Sequence, residues 1–314
     1  MRNRQSVLVV GAGAIGTAMA AVFSASGFPT TVLDPDAAAR AGASNAVARH
    51  LRAMARAGFP ADAACGCEIV ARFEDAEPAT LVIEAGPERV EAKRAIFQAA
   101  RDWAGPDAVI ATTSSAIPVS AILPDAGDQA MALVAHPANP PSLLRILELV
   151  PAPATRPEAV EIAREMFSRA GFDPVALGLE IPAFVFNRLQ SALLREAYRL
   201  VGEGVIAPGD LDRLVRDGLG PRWALSGPFE TADLNTAGGI RGHAARMGPA
   251  YAAIGRARGE TDCDWPDALV ERVETDLRAR PPEADLPKRR AWRERALADL
   301  LAARRELMSD ASDD

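Results

Sequence analysis

A histidine and a glutamate stand in two apolar runs that could bring them together for acid–base chemistry. His136 ends the run Ala132–His136, and Glu148 lies 12 residues later within Arg145–Val150. A carboxylate flanked by apolar residues is expected to be buried and to need a partner. If the runs are paired strands, Glu148 can hold one imidazole tautomer and stabilise the imidazolium formed when His136 takes a proton from a substrate hydroxyl. The alternative, a core histidine with a glutamate nearby by chance, stays open on these residues alone.

The first apolar run is followed by a glycine pattern that is typical of dinucleotide-binding turns. Gly-x-Gly-x-x-Gly stands between a predicted strand and a predicted helix, and its six residues are Gly11, Ala12, Gly13, Ala14, Ile15 and Gly16. In such a turn the first glycine permits the tight bend, the second lets the backbone approach a pyrophosphate, and the third allows close helix–strand packing. The helix N-terminus supplies free N–H groups and a partial positive charge for the phosphates.

An aspartate at the end of the second predicted strand completes this motif. Asp34 follows Gly16 by 18 residues. A carboxylate there accepts hydrogen bonds from the adenosine ribose hydroxyls and repels a 2′-phosphate, so the pattern predicts NAD rather than NADP. The alternative is a glycine-rich turn followed by a solvated aspartate.

The surrounding elements alternate between short β-rich runs and longer helical patterns. The predicted strands are Ser6–Val10, Thr30–Asp34, Cys67–Ala71, Leu81–Glu84, Ala108–Ala111, Ala132–His136, Arg145–Val150 and Asp173–Ala176. The predicted helices between them are Ala14–Ser26, Ala37–Ala57, Glu88–Trp103 and Pro157–Ala170. Alternation of this kind predicts an α/β, Rossmann-type fold with a mostly parallel sheet covered on both faces.

Beyond residue 180 only helical patterns follow. They are Ala183–Gly202, Gly209–Gly218, Thr236–Arg258, Pro266–Arg280 and Lys288–Met308. We therefore predict an NAD-binding domain over residues 1–180 and an all-α domain for substrate binding and dimerisation over residues 181–314. The acidic end, residues 309–314, is expected to be a solvated tail.

Composition and charge exclude several classes of function. The 314 residues are 49% hydrophobic and 25% charged, with a formal net charge of −7, and an acidic chain without a basic run is not expected to bind nucleic acid. No apolar run reaches the ~20 residues of a membrane span or resembles a signal peptide, so we expect a cytoplasmic protein that does not bind membranes. Cys65 and Cys67 have no nearby histidine, and no metal site is predicted.

Further motifs occur in an order and at a spacing that resemble a known family. Besides the glycine turn they include Glu84-Ala85-Gly86-Pro87-Glu88, Thr113-Ser114-Ser115, His136-Pro137-Ala138-Asn139-Pro140-Pro141, Phe186-Asn187-Arg188-Leu189-Gln190 and Gly218-Leu219-Gly220-Pro221-Arg222-Trp223. Together they extend over nearly the whole chain. They resemble the 3-hydroxyacyl-CoA dehydrogenase superfamily, in particular its lambda-crystallin and L-gulonate 3-dehydrogenase branch.

The resemblance implies a catalytic set and a reaction. His136 and Glu148 match the family's histidine and its paired glutamate, while Ser115 matches its active-site serine and Asn187 its asparagine. The implied reaction is the reversible oxidation of a secondary alcohol, in which the histidine takes the hydroxyl proton and hydride leaves for NAD. Ser115 and Asn187 would hydrogen-bond the reacting oxygen or neighbouring hydroxyls. Ser114 stands next to Ser115 and is the alternative active-site serine.

The same resemblance implies further cofactor contacts. Glu88 and Lys93 match a pair that contacts NAD, and Glu84 matches a neighbour of the nicotinamide ribose. Lysine occurs only at positions 93 and 288, which favours a role for Lys93. Without the resemblance, a spacing of five on a helix indicates two solvated side chains.

The implied substrate is a small hydroxy acid such as L-gulonate. Arg222 matches an arginine of the gulonate-type motif, and a guanidinium suits bidentate binding of a carboxylate; a helix-capping or dimer-interface arginine is the alternative. The excursion over residues 35–65 has no lysine, whereas the acyl-CoA branch carries lysine contacts there. A 3-hydroxyacyl-CoA dehydrogenase and a catalytically silent, crystallin-like NAD-binding protein are the other candidates. The family's helical half forms a two-fold dimer, so we expect a homodimer.

Overall fold

The protein is described here from a computed structural model. It describes residues 5–61, 66–261, 266–279 and 282–289, with positions 291, 292, 296, 299, 300 and 303 beyond them. The chain divides into two compact units, Met1–Leu194 and Arg195–Asp314. The predicted domain division at residue 180 remains a prediction. Within the described ranges, no helix has both the length and the apolar composition that a membrane crossing requires.

The described part of the first unit contains one sheet of eight strands in the order β3-β2-β1-β4-β5-β6-β7-β8. The strands are β1 Val7–Val10, β2 Thr30–Leu33, β3 Glu68–Val70, β4 Leu81–Glu84, β5 Val109–Thr112, β6 Ala132–Pro137, β7 Ile146–Pro151 and β8 Asp173–Ala176. All neighbours are parallel except β6 and β7, which confirms the predicted Rossmann-type, mostly parallel sheet.

Both faces of this sheet are buried, which explains why its strands are continuous apolar runs. In β1, Val7 and Val9 join one apolar cluster, whereas Leu8 and Val10 join another. Successive side chains of a strand point to opposite faces, so the two clusters cover the two sides of the sheet.

Helices pack against these faces. They are α1 Ala14–Ala25, α2 Ala37–Arg56, α3 Val90–Ala104, α4 Val119–Ile122 and α5 Pro157–Arg169. The predicted start of α3 at Glu88 is wrong, because Arg89 is still extended with φ of −140° and the helix begins at Val90. Glu88 therefore belongs to the turn between β4 and α3. The single turn α4 is too short to show a helical period, and it was not predicted.

The antiparallel pair β6–β7 sets the geometry of the predicted acid–base residues. Residues 138–145 connect the two strands, and an antiparallel pair needs only a short connection. In the resulting register His136 lies directly opposite Glu148. Directly opposed residues project on the same face of a sheet, so the two side chains meet.

Helices dominate the described chain after β8. They are α6 Phe184–Gly202, α7 Pro208–Leu214, α8 Gly220–Trp223, α9 Pro228–Asn235, α10 Gly239–Ala257 and α11 Asp267–Ala279. The predicted helix Gly209–Gly218 is instead α7 followed by a π-helical turn, Val215–Leu219, and α9 was missed. The predicted helix Lys288–Met308 and the acidic tail lie largely outside the described residues. The boundary between the two units falls within α6.

Candidate active site

The glycine turn between β1 and α1 fits a dinucleotide. Gly11 has φ of +115°, a conformation that favours glycine, and a Cβ there would lie 2.5 Å from the carbonyl oxygen of Ala85. A Cβ on Gly16 would overlap the Gly11 carbonyl, whereas Gly13 has open space where a Cβ would stand. The N-terminus of α1, which is fully described, has no side-chain cap and no acidic residue in its first turn. An opening lined by free N–H groups is suited to a pyrophosphate.

Asp34 holds this turn in addition to its expected contact with the ribose. Its Oδ2 accepts a hydrogen bond of 2.8 Å from the Ala12 N–H, and its Oδ1 accepts one of 2.9 Å from the Asp36 N–H. A carboxylate has about four acceptor positions, so two remain for ribose hydroxyls. The bracing role was missed in the sequence, because it joins residues 22 positions apart.

Lys93 is buried between two carboxylates. Its Nζ donates to Oε2 of Glu84 at 2.9 Å and lies 3.1 Å from Oε2 of Glu88, and its side chain is 1% exposed. The fully buried Glu84 also accepts from the Thr112 hydroxyl at 2.5 Å and from the Gly86 N–H at 2.7 Å. The alternative of two solvated side chains is therefore wrong for Lys93. A strand-end glutamate within an apolar run was the available signal for this buried pair.

Glu88 connects the buried lysine to the turn after β5. Its Oε1 accepts from the Ser114 hydroxyl at 2.6 Å and from the Ser115 N–H at 3.1 Å. Burial raises the pKa of Glu88, but the Ser114 hydrogen bond and the positive charge of Lys93 outweigh that effect and hold the pKa below its usual value. Glu88 is therefore an ionised acceptor at neutral pH, with 46% of its side chain exposed.

The two serines of this turn differ in what they can do. Ser114 is 1% exposed, and its hydroxyl donates to Glu88 and accepts from the N–H groups of Ala116 and Ile117. Ser115 is exposed, and among the described residues its hydroxyl has no hydrogen-bond partner. Of the two, Ser115 has the hydroxyl that is available to a ligand.

His136 and Glu148 meet as expected from their opposed positions. Nδ1 of His136 donates to Oε2 of Glu148 over 2.8 Å, and both residues are buried. The contact with an acceptor places the ring proton on Nδ1, so in the neutral imidazole Nε2 carries the lone pair. Nε2 has no partner among the residues that the structure describes, and it is the nitrogen that can receive a proton.

The second oxygen of Glu148 binds the start of α6. Oε1 accepts from the N–H of Val185 at 2.7 Å and from the N–H of Phe186 at 3.0 Å. The chain enters the helix through Ala183 and Phe184, which have φ of +61° and +53° although neither is glycine. Left-handed residues of this kind persist only where their surroundings impose them. The ring of Phe184 is fully buried, and its centroid lies 5.5 Å from that of His136.

Asn187, in the first turn of α6, connects this element to the serine turn. Its Nδ2 donates to the carbonyl oxygen of Ser115 at 2.8 Å. The predicted set of His136, Glu148, Ser115 and Asn187 thus converges in the first unit. Its members come from β6, β7, the turn after β5 and the start of α6.

Arg222 belongs to the second unit, where it lies in α8. Its Nε donates to the carbonyl oxygen of Gly218 at 3.2 Å. Together with Trp223 and Tyr251, it lines a cavity of about 430 Å³. The structure therefore gives Arg222 an accessible position, and its role as a substrate contact remains a prediction.

The cysteines form no metal centre in the described ranges. Cys67 is a free thiol whose pKa is raised by burial, and Cys65 and Cys263 lie outside the described residues. No group of three metal-ligating side chains comes together among the residues described.

The fold and this site define an NAD-dependent dehydrogenase of CH–OH groups. Residues 6–180 match the model of the 3-hydroxyacyl-CoA dehydrogenase NAD binding domain, and residues 184–276 match that of the 3-hydroxyacyl-CoA dehydrogenase C-terminal domain. The chain belongs to the 3-hydroxyacyl-CoA dehydrogenase family.

Relatives in this family carry different names. A lambda-crystallin homolog of Bos taurus is 33% identical over 312 residues, which cover 96% of each chain. A 3-hydroxyacyl-CoA dehydrogenase of Gibberella moniliformis is 34% identical over 97% of this chain and 96% of its own. Among solved structures, the NAD-dependent dismutase 5-formyl-3-hydroxy-2-methylpyridine 4-carboxylic acid 5-dehydrogenase is 26% identical, with a TM-score of 0.67, over 98% of this chain and 99% of its own.

Replacement of Asp34 by asparagine should weaken NADH binding about tenfold or more and reduce the discrimination against NADPH. The charge that favours ribose hydroxyls and repels a 2′-phosphate is lost, and a hydrogen bond to a charged group contributes ~1.5–3 kcal/mol. Fluorescence titration with both reduced cofactors measures this. Asp36→Asn is the matched control, because the Asp36 carboxylate caps α2. Equal affinity of the unmodified protein for NADH and NADPH would contradict the role of Asp34.

Replacement of Lys93 by methionine should lower the free energy of unfolding by ~3–5 kcal/mol, because Glu84 would be left as a buried charge without its cation. Urea unfolding measures the loss. Arg72→Met, which removes one half of an exposed ion pair with Asp75 in the same unit, should change stability little. Adding Glu84→Gln to Lys93→Met should recover part of the loss. Similar stability of the Lys93 and Arg72 variants would refute the buried pair as a stabilising element.

Proposed function

We propose that the protein oxidises the 3-hydroxyl of a small hydroxy acid, such as L-gulonate, with NAD as the hydride acceptor. The observation that carries this proposal is the hydrogen bond between His136 Nδ1 and Glu148, which leaves Nε2 free to take a proton. A panel of hydroxy acids and hydroxyacyl-CoAs, assayed with NAD at the absorbance band of reduced nicotinamide, tests it. Turnover of a free hydroxy acid supports the proposal, and turnover of acyl-CoAs alone refutes the substrate class.

In the proposed mechanism His136 is the general base. Its Nε2 takes the hydroxyl proton of the substrate, and the charge of Glu148 stabilises the imidazolium that results. Because the carboxylate is also bound by two N–H groups of α6, it cannot turn away as the ring becomes charged. NAD, when bound, supplies the acceptor for the hydride that leaves the carbinol carbon. In the reverse direction His136 returns the proton to the forming hydroxyl.

Ser115 and Asn187 are proposed to orient the substrate. The Ser115 hydroxyl is exposed, and Asn187 keeps its Oδ1 and one N–H for a ligand after its contact with the Ser115 carbonyl. Hydrogen bonds from these groups to the reacting oxygen or a neighbouring hydroxyl would hold the carbon that loses hydride in place. Such positioning is a large part of what an active site contributes to rate.

The cofactor is proposed to lie along the edge from Gly11–Gly16 to Glu88. The glycine turn would hold the pyrophosphate, Asp34 the adenosine ribose, and the exposed half of Glu88 the nicotinamide side. Lys93 is too deeply buried to be an open ligand, so we assign it to the support of Glu88.

Arg222 is proposed to bind the substrate carboxylate. Its guanidinium makes one hydrogen bond to a backbone carbonyl, and among the described residues it has no carboxylate partner. The alternative of a 3-hydroxyacyl-CoA substrate is favoured by the name of one relative that is 34% identical. A catalytically silent, crystallin-like role is favoured by the name of another, but the intact His136–Glu148 pair argues for turnover.

Replacement of His136 by alanine should lower the oxidation rate by ~10²-fold or more, the usual contribution of positioned acid–base catalysis. Glu148→Gln should also slow the reaction, because a neutral amide cannot stabilise imidazolium. NADH affinity should change little in either variant, since neither residue is placed near the glycine turn. Glu161→Gln, at an exposed position of α5, is the control. Near-normal turnover of the His136 variant would remove that residue from the mechanism.

We also propose a cytoplasmic homodimer that associates through its helical half. Leu211, Leu214, Leu219, Trp223 and Phe229 are the apolar candidates for the interface, and Leu214 is 65% and Phe229 57% exposed. Sedimentation at micromolar concentration should give the mass of two chains. Leu214→Glu should weaken association, whereas Leu179→Glu, at a 77% exposed position of the first unit, should not. A monomeric mass would contradict this assignment.

A further inference from the structure

The main chain of Ser115 is held on both sides, whereas its hydroxyl is not. Its N–H donates to Oε1 of Glu88 at 3.1 Å, and its carbonyl oxygen accepts from Nδ2 of Asn187 at 2.8 Å. The hydroxyl is exposed and has no hydrogen-bond partner among the described residues. A side chain presented in this way has its backbone fixed before a ligand arrives.

The clamp on the N–H side depends on the preceding residue. The Ser114 hydroxyl donates to the same Glu88 oxygen at 2.6 Å, and it accepts from the Ile117 N–H at 2.8 Å and the Ala116 N–H at 3.3 Å. A hydroxyl has one donor and two acceptor positions, so its capacity is filled. At 1% exposure, Ser114 has neither the access nor a free lone pair with which to meet substrate.

We propose that Ser114 is a positioning residue, which fixes the Glu88 carboxylate so that Glu88 in turn fixes the main chain of Ser115. This rests on the proposed function, in which Ser115 orients the substrate hydroxyl. Glu88 has one oxygen near Lys93, at 3.1 Å, and the other shared by the two serines. The nicotinamide side and the substrate side of the site are thereby held in register by a single carboxylate.

The energetic reason lies in the partial exposure of Glu88. With 46% of its side chain exposed, the carboxylate can exchange protein donors for water unless enough donors hold it. Loss of the Ser114 hydroxyl removes the shortest of its three contacts. A displacement of ~1 Å at a reacting group can cost ~10²-fold in rate, so a small rotation of Glu88 is expected to reach catalysis through Ser115.

The test compares Ser114→Ala with Thr113→Ala in the full-length protein. Thr113 is the matched control, because its hydroxyl donates to the Glu84 main-chain carbonyl and not to Glu88. Amide hydrogen exchange, resolved by residue with NMR, should speed up at Ser115 in Ser114→Ala and stay unchanged in Thr113→Ala. The Ser115 amide is informative because it bonds Glu88 and not the side chain that is removed. Unchanged exchange at Ser115 would overturn the proposal.

Kinetics test the catalytic consequence with whichever hydroxy acid the unmodified enzyme oxidises. Ser114→Ala should lower kcat about tenfold or more and change the Kd for NADH by less than about threefold, because the glycine turn and Asp34 are untouched. A purely structural role would lower stability without this split. If no panel member is oxidised, the proposed function fails, while the exchange result still decides whether Ser114 positions the turn.

A double-mutant cycle connects the serine to the carboxylate. Ser114→Ala and Glu88→Gln should be strongly non-additive in kcat and in Ser115 exchange, because both act on one hydrogen bond. Thr113→Ala and Glu88→Gln should be additive. Additive effects in the first cycle would refute the proposal. Should Ser114→Ala not fold, Glu88→Gln must still accelerate exchange at Ser115, and normal exchange there has the same consequence.

Discussion

The carboxylate of Glu148 joins the sheet to the first helix of the C-terminal half, and the rest of the candidate site depends on it. It receives three N–H donors, one from His136 and two from the start of α6. A carboxylate in apolar surroundings is costly unless its oxygens are satisfied, and the positive end of a helix is a favourable place for it. The same contacts set the ring of His136 and the direction in which α6 leaves the sheet. Asn187 takes its place from that direction.

A second charged centre lies on the parallel side of the sheet. Glu84 and Lys93 are fully buried, and Glu88 extends their network towards the serine turn. The two centres do not touch each other directly; they meet where Asn187 binds the carbonyl of Ser115. Each centre thus orients one element, and the contact between those elements fixes the position of the candidate substrate groups. This arrangement explains why buried ionic groups are found next to a site that must hold its geometry without a ligand.

Much of the first unit is predictable, because burial on both faces leaves an unmistakable apolar signal in its strands. The opposed positions of His136 and Glu148 follow from two apolar runs joined by a short connection, and the glycine turn carries its own steric requirements. Less visible are contacts that join distant residues, such as Asp34 with Ala12 and Ser114 with Glu88, because each partner alone is an ordinary polar side chain. Short elements such as α4 and α9 escape for a different reason. They are stabilised by packing and contain too few residues to show a period.

Substrate choice is less predictable from these features than the reaction itself. Buried polar groups must be satisfied for the protein to fold, so a strand-end Glu148 or Glu84 reveals a partner by physical necessity. An accessible arginine such as Arg222 carries no such requirement, because water satisfies it as well as a ligand does. Relatives of similar identity accordingly carry different names over nearly the same length. Proton transfer is encoded in groups that also stabilise the first unit, whereas selectivity would reside in groups whose replacement costs the fold little.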